Sequence, residues 1–309
     1  MAIRLGLGLP QLRQYDLAKD VTDVARAAER TGYDSVWVYE RLLVPESPTQ
    51  GLYDVPGLPW PDWYRGMAHP LVTLTLAAAV TERVRLGTGV VVAPLHGPVQ
   101  LAKALATLDA ASGGRVVAGL GTGWSTDEFA AAAIGPHNRR GGLLEEVIKV
   151  CRAVWGPDPV SFEGRTTKID AAVVGPKPAR PIPVLVAAGG DRALGRVVDL
   201  GDGWIPVAMD VQGYAAGWRR LQDIAAERGR TRPIERVPRV NALYSATPYE
   251  GDDRQPFQGS ADQIVADLAA YTEVGVDEVL LDLQTTLRDA QELKDVAAQV
   301  YEKVRAAGL

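Results

Sequence analysis

An alternation repeated eight times constrains this 309-residue chain more than anything else in it: a short apolar run, then a longer stretch of helical periodicity. The runs fall at 3–9 (IRLGLGL), 34–40 (DSVWVYE), 84–93 (VRLGTGVVVA), 115–121 (RVVAGLG), 182–188 (IPVLVAA), 203–208 (GWIPVA), 236–246 (RVPRVNALYSA) and 277–284 (DEVLLDLQ). Helical stretches follow at 17–31, 70–82, 98–112, 141–155, 191–200, 211–228, 260–274 and 289–306. Runs that are apolar almost throughout are those of parallel strands covered on both faces. Eight units with no break in the middle predict an α/β fold, a closed (β/α)8 TIM barrel forming one domain over 1–309, rather than an open doubly wound sheet. Three segments break the alternation and read as insertions after strands 2, 4 and 7: residues 41–69, 156–181 and 247–259. The first and last follow the C-terminal ends of strands, where barrel active sites are built, and read as covers.

Charge and composition narrow the function. A formal net charge of −5 argues against a nucleic-acid partner, which needs a basic face. The apolar runs are too short to span a membrane, and the N-terminus lacks a charged segment before an apolar one, so the expectation is a cytoplasmic protein. The single cysteine, Cys151, lies among Val147, Ile148, Val150 and Val154 and reads as packing. No His/Cys/Asp cluster has metal-ligand spacing, so no metal is expected. Of the three histidines, His137 reads as a surface turn, His69 precedes Pro70 at the end of the first long loop, and His96 follows strand three at the barrel mouth.

The glycines of "GLGTG" (119–123) raise the possibility of a dinucleotide fingerprint, G-x-G-x-x-G. From Gly119 the third glycine would be Trp124, and from Gly121 it would be Thr126, so both frames fail. Two readings remain for these glycines and for Gly87 and Gly89 in strand three. They let a flat group approach the backbone, or they make room for a bulky neighbour inside the barrel. A Gly189–Gly190 pair ends strand five directly before a helix, an arrangement that suits an anion, with Arg192 nearby.

With these segments in view, the sequence resembles the bacterial luciferase-like family of flavin- and deazaflavin-dependent (β/α)8 enzymes. The resemblance covers nearly the whole chain. It rests on residues 28–45 (AERTGYDSVWVYERLLVP), 69–94 (HPLVTLTLAAAVTERVRLGTGVVVAP), 100–129 (QLAKALATLDAASGGRVVAGLGTGWSTDEF), 139–155 (RRGGLLEEVIKVCRAVW) and 182–204. It implies a cofactor ring across the C-terminal mouth, contacted by Thr88, Gly89, Val90, Gly123, Trp124 and Asp127. The cofactor phosphate would lie on Gly189, Gly190 and Asp191. It further implies a non-prolyl cis bond with a bulge at Gly89–Val90, and a homodimer joined through the helices after strands two and three.

Two departures bear on chemistry. Many deazaflavin-dependent members end strand two with Asp-His, where this chain has Glu40–Arg41. Glu40 keeps the acidic contact, and the histidine's role has no counterpart. Trp124 stands where a sugar-phosphate-oxidising branch has a catalytic glutamate, so that substrate is not carried over. The resemblance implies hydride transfer between coenzyme F420 and a small-molecule substrate, with Glu40 and His96 as candidate catalytic residues. An FMN-dependent monooxygenase is the alternative, and a non-catalytic flavin-binding barrel a third. Arg outnumbers Lys 26 to 7, the bias of a GC-rich genome, which inclines the choice toward F420.

Overall fold

The periodic segments fold largely where the sequence places them. The computed structural model describes residues 2–207 and 209–309. In chain order the elements begin β1 (Arg4–Gly8), α1 (Asp20–Thr31), β2 (Ser35–Val38), α2 (Pro70–Ala78), β3 (Arg85–Thr88), β4 (Val91–Val92), α3 (Pro98–Ser112) and β5 (Val116–Gly121). Next come α4 (Thr126–Ala132), α5 (Arg140–Trp155), β6 (Val160–Glu163), β7 (Lys168–Ala172), β8 (Val184–Ala187), α6 (Asp191–Leu200), β9 (Gly203–Ile205) and α7 (Val211–Glu227). The chain finishes with β10 (Glu235–Arg236), β11 (Arg239–Asn241), β12 (Leu243–Tyr244), β13 (Gln258–Gly259), α8 (Ala261–Val274), β14 (Glu278–Asp282) and α9 (Ala290–Ala306). The expected strand 203–208 ends at Ala208, which lies outside the described residues.

Local chemistry sets the helix ends. In α1, Val21, Val24, Ala25 and Ala28 are buried on one face. Gly32 ends it at φ 111°, a left-handed conformation that glycine adopts without a Cβ penalty. Pro70 and Pro98 occupy first-turn positions, where a missing N–H costs nothing. Ser260 and Gln263 close a capping box on α8.

The main sheet runs β10-β9-β8-β5-β3-β2-β1-β14-β11, with every pairing parallel. Its two ends belong to one segment. β10 bonds β9, and β11, three residues further on, bonds β14. The sheet therefore curls into a barrel-like form. Pro238, which has no N–H to donate, separates β10 from β11. The expected seventh strand, 236–246, is split accordingly, and Leu243–Tyr244 leave the sheet to pair with Gln258–Gly259.

Trp37, Val117, Leu185, Ile205, Val237 and Leu280 fill the interior. This filling explains the strand glycines. A Cβ on Gly87 would collide with the Trp37 ring, one on Gly119 with the Thr88 carbonyl, and one on Gly89 would lie 2.5 Å from Leu280 Cδ1. Gly87, Gly89 and Gly119 thus make room for neighbouring side chains and backbone. The peptide bond Gly89–Val90 is cis. Beside it, five residues from Gly87 to Val91 run opposite four from Val117 to Leu120, which is a one-residue bulge.

Segment 41–69 contains two short 3-10 turns, Leu52–Asp54 and Asp62–Gly66. Residues 160–172 form an antiparallel hairpin whose turn is held by Glu146, which accepts from the Arg165, Thr166 and Thr167 amides. Among the described residues no helix is long and apolar enough to cross a membrane. Cys151 is fully buried, and burial pushes its thiol up to about 12, in keeping with packing.

Candidate active site

A cavity of about 280 Å³ lies at the C-terminal ends of the strands. Its floor comes from strand ends and the turns after them: Gly89, Val90 and Val92, then Gly121 to Trp124, then Ala187 and Val207. The end of β2 supplies Tyr39, Glu40 and Arg41, segment 41–69 supplies Tyr53 and Tyr64, and β11 supplies Arg239.

Glu40 is 6% exposed, and both its oxygens are engaged. One accepts the Val92 amide at 2.7 Å, and the other meets His96 Nε2 at 2.8 Å. The bulge places Val92 where its N–H points at this carboxylate. His69 stands edge-on to His96, ring centroids 6.3 Å apart. Burial holds the His69 imidazole below its ordinary pKa, against the pull of Glu40.

Two buried ion pairs frame the same cavity. Arg41 donates to Glu128 at 2.7 Å, with both side chains under 8% exposed. Its guanidinium also lies 5.1 Å from the Trp60 ring centroid and 4.8 Å from that of Trp124. Glu128 also accepts the Leu42 amide at 2.6 Å, so it fixes the start of the 41–69 segment. Burial raises the Glu128 carboxyl despite Arg41. On the other side Arg239 donates to Asp282 and to the Gly89 carbonyl, each at 2.9 Å, and covers the Tyr39 ring at 3.7 Å.

A second, more open cavity of about 460 Å³ adjoins the first, and Thr122 lines both. Arg139, Arg140, Arg192 and Arg196 line it, together with Gly190 and Asp191 at the start of α6. Arg196 is tied to Glu145, and Asp191 to Arg220, each at 2.8 Å. Arg139 and Arg192 have no ion-pair partner among the described residues. Gly190 takes φ −107°, so no left-handed conformation demands glycine there, and a Cβ at Gly189 or Gly190 would meet nothing within 4 Å.

The structure brings Glu40, Gly89, Val90, Gly123 and Trp124 together in the first cavity, and Gly190 and Asp191 in the second. Other expected residues stand elsewhere. Thr88 is fully buried, its hydroxyl donating to the Gly119 carbonyl at 2.7 Å, so as a ring contact its side chain is displaced by strand bonding. Asp127 accepts the Thr49 amide at 3.1 Å and serves to latch segment 41–69 onto α4, not to line the cavity. His96 backs Glu40 from outside the lining, and Gly189 stands outside the arginine-lined cavity. His137 opens a 3-10 turn, His137–Arg139, with no buried residue, as the surface-turn reading expects; its half-buried ring packs edge-on against Phe129 and bonds the Trp124 carbonyl at 3.0 Å. The 247–259 segment does not cover the first cavity. Its Gln255, Pro256 and Phe257 line a separate one that shares Arg239.

Arg239, Tyr53, Tyr64 and Thr122 were not singled out from the sequence. A signal existed for Arg239, a charge inside an otherwise apolar strand. One existed also for α4, where Ser125 and Glu128 have capping-box spacing; Ser125 caps the helix, but the Glu128 side chain goes to Arg41.

Comparison with known proteins agrees with this architecture. An uncharacterized protein of Mycobacterium tuberculosis is 35% identical over 283 residues, 89% of each chain. An F420-dependent glucose-6-phosphate dehydrogenase of Kineococcus radiotolerans is 33% identical over 187 residues, 60% of this chain and 51% of the relative. An F420-dependent secondary alcohol dehydrogenase, solved with an F420-acetone adduct, superposes with a TM-score of 0.76 at 18% identity, covering 99% of this chain and all of the other. That likeness is one of fold. The model of the luciferase-like monooxygenase family matches residues 6–276, and the chain belongs to that family.

Proposed function

We propose that this protein is an F420-dependent oxidoreductase that moves a hydride between the deazaflavin and a small organic substrate. The site would lie at the mouth of a closed (β/α)8 barrel. The observation that carries the reading is the pair of cavities meeting at Thr122. One is walled by aromatic and apolar groups that suit a planar ring. The other offers arginines and the N-terminus of α6, which suit a phosphate. The residues present therefore fit a phosphorylated tricyclic cofactor.

In this reading the ring lies against Gly89, Val90, Gly123 and Trp124. The backbone N–H groups at Gly190 and Asp191 meet the phosphate, with Arg139 and Arg192 supplying charge. Arg220 offsets the Asp191 carboxylate. Glu40, locked by Val92 and His96, is a fixed acceptor for an N–H or O–H of whatever binds there. F420 when bound supplies hydride chemistry without activating oxygen. The chain itself binds, orients and excludes water. Tyr53, Trp60 and Tyr64 of segment 41–69 form the cover.

Named relatives that are F420-dependent favour F420. The family's description as luciferase-like monooxygenase keeps a monooxygenase, with FMN as its cofactor, as the second reading. Oxygen uptake separates them. With reduced cofactor and a panel of ketones, alcohols and enones, the F420 reading expects turnover unaffected by removing oxygen. Oxygen consumption with FMN and an oxygenated product would establish the other. We also propose a homodimer formed through α2 and α3, where Val72 is 60% exposed. Sedimentation at micromolar concentration tests this, and a monomer would reject it.

A further inference from the structure

Most polar side chains around the aromatic cavity bond within the chain, although the Nε atoms of Arg41 and Arg239 are buried without a partner. Glu40 uses both oxygens, on Val92 and His96. Arg41 is paired with Glu128, and Arg239 with Asp282 and the Gly89 carbonyl. The hydroxyls of Tyr53 and Tyr64 bond each other at 3.0 Å. Tyr39 is different. It is 7% exposed and lines the cavity. Gln11 bonds both its backbone N–H and its carbonyl, so its position is fixed. Its hydroxyl has no hydrogen-bond partner among the described residues and, unlike the buried Nε atoms of Arg41 and Arg239, is accessible from the cavity. A ligand oxygen in the cavity would supply a partner.

We propose that Tyr39 is a catalytic residue whose hydroxyl bonds the reacting oxygen of a carbonyl substrate, or of the alcohol in the reverse direction, and carries that oxygen's proton. This rests on the hydride-transfer reading above. In reduction, a hydride from the reduced deazaflavin enters the carbonyl carbon. The C=O π pair moves onto oxygen, the Tyr39 proton follows to that oxygen, and the phenolate regains a proton from water. Two surroundings suit the role. Burial holds the phenol well above its ordinary pKa, so it remains a donor at working pH. The Arg239 guanidinium, 3.7 Å from the ring centroid, offsets the negative charge that appears when the proton leaves. The other walls, Tyr53, Tyr64 and Trp124, fit a substrate with an apolar or aromatic body next to its carbonyl.

The test is made first on the protein without cofactor. Acetophenone labelled with 13C at the carbonyl is bound to wild type, Tyr39→Phe and Tyr53→Phe, and its C=O stretch is recorded by infrared difference spectroscopy. The proposal expects a band at lower wavenumber in wild type and Tyr53→Phe, and loss of that shift in Tyr39→Phe with the thermal transition unchanged. With F420 loaded, Tyr39→Phe should lose on the order of 10²-fold in kcat while F420 affinity stays within about twofold. An identical band in wild type and Tyr39→Phe overturns the proposal, as does the absence of saturable acetophenone binding to wild type. If the shift is lost in Tyr39→Phe but F420 does not bind wild type, the cofactor reading fails while the Tyr39 contact stands.

Discussion

The two cavities that meet at Thr122 satisfy their polar groups in opposite ways. Around the aromatic cavity, Arg41, Arg239, Glu128 and Asp282 are buried and paired within the chain. Around the arginine-lined cavity, Arg139 and Arg192 have no ion-pair partner among the described residues, and Gly190 faces open space. A buried charge without its partner is costly, so the ion pairs of the first cavity are made before any ligand arrives. Uncommitted surface cations carry no such requirement and are free to bind an anion. Substitutions in those ion pairs should therefore be felt as stability, and in the second region as affinity.

The largest effect should come from Arg239→Met, which strips the partner from Asp282, a side chain only 2% exposed. Urea unfolding should show a loss of about 3–5 kcal/mol. A loss below ~1 kcal/mol would mean that water reaches Asp282 and the cavity wall is not dry. Next is Gly89→Ala. The added methyl meets Leu280 and should cost about 1–3 kcal/mol through overpacking. Gly190→Ala, by contrast, should stay within ~0.5 kcal/mol of wild type. Equal costs at the two glycines would erase the distinction between filled and open space.

The smallest effect concerns pH. Burial lowers the pKa of His69 in the folded state, so between that value and the ordinary one near 6.5 the unfolded chain binds more protons. Stability should therefore fall as pH drops through that window. His69→Gln should flatten the slope in thermal melts between pH 7 and 5. A slope unchanged by the substitution would place the titration elsewhere.

These differences also show what could be read from the sequence. Helix positions came through nearly intact, because 3.6-residue periodicity and residues such as Gly32, Pro70 and Pro98 mark both face and ends. The mouth was legible where chain order sets it, with Glu40 at the end of strand two and Gly190 before α6, while Val90 and the bulge were reached only through the resemblance to the family. It was not legible where long-range packing decides. Nothing local shows that Thr88 spends its hydroxyl on Gly119, or that Arg239 reaches across to Tyr39 and Gly89. Nor could glycine composition reveal that Gly87 and Gly119 accommodate Trp37 and the Thr88 carbonyl.

In the proposed binding mode a cofactor phosphate sits at the arginine-lined cavity beside Gly190 while the ring enters the aromatic one. Fluorescence titration of wild type and Gly190→Val with F420 and with FMN tests it most directly. Micromolar or tighter F420 binding to wild type is expected, with weaker FMN binding and a loss in the variant of at least about tenfold, ~1.4 kcal/mol, at an unchanged unfolding midpoint. Equal F420 affinity in the two proteins, or tighter binding of FMN than of F420, would contradict it.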